Sequence, residues 1–164
     1  MDYSFRCDCP LEAVESLQPE VLAAFEKVAG EYHAATGDML TVTSGRRSLR
    51  KMAELMAKFS MEQLEGMYCR NGYPQYILAI KEARAMGDVD KEKTYRILQN
   101  RTEGYISMHL SGGAIDIATE GLKDKETLTR LLEKHGFTAF NETELGVGCI
   151  HASFKTAQKL IIRE

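Results

Sequence analysis

Between Pro19 and Tyr32 the apolar residues Val21, Leu22, Phe25, Val28, Ala29 and Tyr32 recur at helical spacing, opposite Glu26, Lys27 and Glu31. Pro19 and Glu20 suit a first turn, and Thr36-Gly37-Asp38 suits a stop. Met39-Leu40-Thr41-Val42-Thr43 then reads as a short strand. Residues 49–101 read as mostly helical, with a capping box at Ser60-Met61-Glu62-Gln63 and breaks at Gly72-Tyr73-Pro74 and Gly87-Asp88. Tyr76, Ile77, Ile80 and Ala83 form one apolar stripe there; Tyr95, Ile97 and Leu98 form another. Ala114-Ile115-Asp116-Ile117-Ala118 alternates like a strand. A helix follows over Asp124–Lys134, with Leu128, Leu131 and Leu132 on one face. Phe137–Phe140 and Gly148–Phe154 read as strands around a turn at 141–146. The first seventeen residues read as irregular or weakly helical, and Lys159–Glu164 as a closing helix or strand.

This pattern predicts an α+β fold: a small antiparallel sheet, helices packed on one side, and a helical insertion at about 49–101. Residues 1–164 are expected to form one domain, because an insertion of about 50 residues is small for a core of its own. The hydrophobic share of 44% supports a folded chain. A net charge of −3 gives no field that favours nucleic acid, and no apolar run is long enough to span a membrane. The first ten residues lack a basic start and an apolar stretch, so no signal peptide is read. The expectation is a cytoplasmic protein, or one released by lysis. Cys7, Cys9, Cys69 and Cys149 are scattered, which suits reduced thiols.

The chemistry concentrates in Ser107–Asp116, where His109 and Asp116 flank a Gly-Gly turn. Alternation turns Ile115 and Ile117 to one side and Asp116 to the other. A buried carboxylate needs a cation or good donors, and His109 is the nearest candidate co-ligand. In the last strand Ile150, Ala152 and Phe154 share one side, leaving Cys149, His151 and Ser153 on the other. Arg46 and Arg47 follow a strand end, in a solvated turn or aimed into a cleft. His33 and His135 sit at helix ends and suit those ends better than a metal.

Ser107-Met108-His109-Leu110-Ser111-Gly112-Gly113-Ala114-Ile115-Asp116 resembles the S-x-H-x-x-G-x-A-x-D signature of the zinc D-Ala-D-Ala carboxypeptidase family, which shares its fold with the hedgehog amino-terminal signalling domain. Thr43-Ser44-Gly45-Arg46-Arg47-Ser48 is similar to the family's T-S-G-Y-R-S segment, with Arg46 in place of the aromatic residue. Ile150-His151-Ala152-Ser153 is similar to the strand that carries its third ligand. The resemblance implies that His109, Asp116 and His151 bind one Zn²⁺ that activates water. It implies that Arg47 faces the substrate and stabilises charge on the scissile carbonyl, and that Ser107 lies near the substrate or braces the turn. The implied activity is hydrolysis of peptide bonds in bacterial cell-wall peptides, as a D-alanyl-type carboxypeptidase or endopeptidase. The implied partner is a peptidoglycan peptide or another small peptide.

The pattern departs at the general base. The peptidases carry a glutamate three residues before the last histidine, where this chain has Gly148; hedgehog-type members carry it six before, where this chain has Leu145. Glu142 and Glu144 lie just before that position, and Glu144 is preferred because it is nearer the strand entry. Without a base, the alternative is a catalytically inactive zinc module that binds a protein or peptide. Cys149 stands where hedgehog-type proteins carry a histidine, and reads as a buried thiol, a cleft residue or a metal contact.

Overall fold

The computed structural model describes residues 3–88 and 90–164. Its five-stranded sheet is formed by β1 (Arg6–Cys7), β2 (Thr41–Ser44), β3 (Ala114–Ala118), β4 (Phe137–Asn141) and β5 (Cys149–Phe154), in the order β1-β2-β3-β5-β4. The central pairs are antiparallel, but β1 runs parallel to β2, so the sheet is mixed rather than wholly antiparallel. The opening segment is also more ordered than its composition suggests. It contributes β1 and a short helix, α1 (Leu11–Glu15).

The expected long helix is α2 (Pro19–Thr36), ended by Gly37 in the left-handed conformation. Its buried face, Val21, Phe25, Val28, Ala29 and Tyr32, packs in one hydrophobic cluster with Ile115, Ile117, Ile150, Ala152 and Phe137. Leu128, Leu131 and Leu132 join the cluster from α8 (Lys125–Lys134). The Asp124 side chain caps α8 by accepting from the Thr127 amide at 3.0 Å. One face of the sheet is therefore sealed by two helices. The alternate positions of β3 and β5 are pushed to the other face.

Residues 49–101 form four helices: α3 (Leu49–Lys58), α4 (Met61–Tyr68), α5 (Gln75–Ala85) and α6 (Lys91–Gln99). They gather a second hydrophobic cluster that includes Leu49, Met52, Met56, Leu64, Ile77, Ile80 and Leu98. Ile106 and Leu110 from the segment before β3 complete it. The insertion thus has its own apolar interior, but that interior needs side chains from the loop that carries His109. The loop includes a four-residue helical turn, α7 (Met108–Ser111), closed by Gly112.

The segment after β5 forms no regular element, contrary to the closing helix or strand its pattern suggested. It is held by side chains instead. Gln18 donates to the carbonyls of Ser111 and Gln158, both at 2.9 Å, and accepts from the Gln158 amide at 2.9 Å. The buried Arg101 guanidinium donates to the carbonyls of Leu98, Gly104 and Ile162. None of the helices among the described residues is long and apolar enough to cross a membrane.

Gly45 follows β2 and lies against the Ala13 backbone; a Cβ there would stand 2.9 Å from the Ala13 carbonyl carbon and closer still to its oxygen. Backbone cannot yield as a flexible side chain can. Gly45→Ala is expected to lower stability by about 1–3 kcal/mol in urea unfolding, and wild-type stability would show that α1 does not press on this turn.

Candidate metal centre

Asp116 and His151 are register partners across β3 and β5, so their side chains leave the same face of the sheet side by side. α7 brings His109 to them from the far side of the Gly112-Gly113 turn. His109 Nε2 lies 3.1 Å from Asp116 Oδ1 and 3.2 Å from His151 Nδ1, and His151 Nδ1 lies 3.0 Å from Asp116 Oδ1. The three residues that the sequence nominated as ligands converge on one point.

The outer nitrogens are also engaged. His109 Nδ1 lies 2.7 Å from the Gly45 carbonyl oxygen. A carbonyl only accepts, so Nδ1 carries the proton and Nε2 presents a lone pair inward. Ser153 Oγ lies 2.8 Å from His151 Nε2 and can accept its proton, which leaves Nδ1 as the inward lone pair. Two imidazole lone pairs and a carboxylate oxygen thus face one another in a triangle of 3.0–3.2 Å edges. Three acceptors repel unless a cation lies among them. Ligands bound at about 2.0–2.1 Å around a tetrahedral ion stand about 3.3 Å apart, close to the separations seen. The donor set fits a divalent metal.

The electrostatics agree. Burial pushes the His109 pKa down to about 4, against the pull of Asp116, so the ring stays neutral at pH 7. Asp116 is buried as well, so its charge needs a cation or good donors close by. The second carboxylate oxygen, Oδ2, accepts from Arg47 at 3.0 Å. Arg47 also donates to Ser44, and its buried Nε has no partner among the described residues. Its backbone amide donates to the His109 carbonyl at 3.1 Å. Arg47 is therefore tied both to a ligand and to the segment that carries another. Ser107 Oγ accepts from the His109 amide at 3.2 Å, bracing α7, and Ser107 also lines the cleft.

Glu144 is exposed and does not line the cleft. Glu142 is buried and does. It opens a 3-10 turn (Glu142–Leu145), and Asn141 Oδ1 caps that turn by accepting from the Thr143 amide at 3.1 Å. Cys149 donates its thiol hydrogen to Glu142 Oε1 at 3.1 Å. Glu142, Cys149 and Asp116 each bring a ligand-type atom within 4.8 Å of the others. Burial, then the charge of Asp116, raises the Glu142 pKa. Burial pushes the Cys149 thiol up as well, so it stays protonated beside the carboxylate.

A signal for Glu142 was present in the hairpin register. β4 and β5 pair Phe140 with His151 and Asn141 with Ile150, so the next step sets Glu142 opposite Cys149, on the face that carries His151. Counting nearness along the chain favours Glu144; counting across the hairpin favours Glu142. His33 and His135 stay away from the centre, and His135 instead pairs with Glu31 at 2.8 Å.

The cleft above these residues encloses about 1840 Å³. It runs between α1, the turn after β2, the end of α4 and the segment before α7. No protein-family model, curated protein or solved structure matches this chain.

Two outcomes are expected. Ser153→Ala frees the outer nitrogen of His151 and should weaken metal affinity by about 10- to 100-fold in competition with a chromophoric chelator; unchanged affinity would leave Ser153 without a role at the centre. In the metal-free protein, a buried His109 with a lowered pKa binds fewer protons than the unfolded chain between about pH 6.5 and about pH 4. Stability in that window should therefore fall as pH falls, by up to about 1.4 kcal/mol per pH unit. Urea melts across the window should show a shallower slope for His109→Gln.

Proposed function

We propose that the chain is a zinc-dependent peptidase of the D-Ala-D-Ala carboxypeptidase and hedgehog-type group, acting on bacterial cell-wall peptides. One observation carries the reading: a three-ligand centre with a buried carboxylate, Glu142, on the same sheet face. Two imidazoles and one carboxylate suit zinc, and three protein ligands leave a position for solvent. Zinc, when bound, supplies a Lewis acid that brings the pKa of water toward about 7. The sequence similarity around His109, Asp116 and His151 supports the same group.

The residues of the chain then divide the work. Glu142 accepts the proton of the attacking water and returns it to the departing amine. Its raised proton affinity moves it toward the working pH, as a general base and acid requires. The Cys149 S–H fixes the orientation of that carboxylate. Arg47 holds Asp116 in place and sets positive charge at the cleft wall, where a carbonyl oxygen gains negative charge. A cleft of about 1840 Å³ exceeds what a drug-sized ligand needs and suits a peptide of several residues.

The test is digestion of purified peptidoglycan by zinc-loaded protein, with released amines counted. Glu142→Gln should lower turnover by about 100-fold or more while keeping one metal per chain, and Glu144→Gln should leave turnover within about twofold of wild type. Equal loss in both variants would remove the base assignment. A wild type that binds zinc and releases no peptide would fit the inactive binding module.

A further inference from the structure

The inserted helices do more than wall the cleft. We propose that the Tyr68 hydroxyl is a further catalytic donor, giving a hydrogen bond to the oxyanion that forms on the scissile carbonyl. The inference rests on the metal centre and deepens the peptidase reading.

Tyr68 is the last residue of α4, and α4 is docked onto the turn that carries Glu142. The Gln63 side chain makes that link. Its Oε1 accepts from the Ser60 amide at 3.0 Å, closing the capping box of α4, while its Nε2 donates to the Leu145 carbonyl at 2.8 Å. One turn on, Gly66 leaves room for the Leu145 side chain; a Cβ there would stand 2.5 Å from Leu145 Cδ2. Helix and turn are therefore locked together, and the end of α4 reaches the cleft. Tyr68 lines the cleft together with Arg47, His109, Asp116, Glu142 and His151.

The ring is fixed and the hydroxyl is free. Tyr68 packs edge-on against Tyr76, with centroids 6.4 Å apart. Its hydroxyl has no hydrogen-bond partner among the described residues and is not sealed from solvent, and the residue lines the cleft. Burial, against the opposing pull of Arg47, pushes its pKa to about 12, so it is an O–H donor at neutral pH. Arg47 already spends one terminal nitrogen on Asp116 and Ser44. A second donor in the same cleft completes the polar surroundings of the reacting carbonyl.

In the step, the water oxygen bonds to the carbonyl carbon and the C=O π pair moves onto oxygen. The water proton passes to Glu142. Tyr68 donates its hydrogen bond to the new oxyanion and keeps its proton throughout. Collapse restores C=O and breaks C–N, and the proton on Glu142 moves to the amine nitrogen. Tyr68 thus acts only where charge develops.

Cobalt-loaded protein gives a readout that does not need turnover, with inorganic phosphate as a tetrahedral oxyanion followed in the visible spectrum. Tyr68→Phe should bind phosphate about tenfold or more weakly, with the phosphate-free cobalt spectrum and thermal midpoint unchanged. Tyr76→Phe should keep wild-type affinity. With peptidoglycan peptides, Tyr68→Phe should lower kcat by about 100-fold and leave KM within about twofold. Equal phosphate affinity in wild type and Tyr68→Phe, or no phosphate binding by wild type, overturns the assignment. A Tyr68-dependent phosphate effect in a protein that cleaves no peptide upholds the donor and overturns only the peptidase reading.

Discussion

Two ring nitrogens and one carboxylate oxygen, each with a lone pair turned inward, are held 3.0–3.2 Å apart, with His109 and Asp116 buried and His151 half-buried. Nothing in that triangle is self-stabilising. The surrounding fold must press the three groups together, and the arrangement around them shows how. Asp116 and His151 are fixed by strand pairing, which leaves little freedom in their relative position. His109 is fixed by a backbone carbonyl on its outer nitrogen and by Arg47 holding its own carbonyl. Each ligand is restrained from behind, by a different element.

The two hydrophobic clusters divide the same task. The cluster of α2, α8 and the sheet keeps β3 and β5 in register, and so governs two of the ligands. The cluster of the inserted helices includes Leu110, the residue next to His109, and so governs the third. The geometry of the candidate metal centre is set where these two interiors meet. The inserted helices therefore cannot be treated as decoration on a finished site. Their packing contributes to the position of a ligand, and their α4 contributes to the position of the carboxylate beside it.

Much of this was legible in the chain itself. Ile115, Asp116 and Ile117 sort themselves by alternation, because a buried sheet face accepts isoleucine and rejects a bare carboxylate. The same alternation separated His151 from Ile150 and Ala152. The helices of 49–101 followed from stripes and breakers, down to the Ser60/Gln63 box. What sequence periodicity missed depends on distant partners. β1 is two residues long and exists because β2 offers an edge. The last ten residues have no repeat to read, since Gln18 and Arg101 hold them from far along the chain. Glu142 and Glu144 look alike in composition, and only the fold shows that the first is buried at the cleft while the second is exposed.

The Gln63 amide serves two masters, one oxygen finishing a helix start and one nitrogen gripping the turn beyond β4. Fraying of that first helical turn is thereby transmitted to the turn that carries Glu142 without passing through His109, Asp116 or His151. Warming that loosens this turn shifts the Glu142 carboxylate while strand pairing still holds Asp116 beside His151.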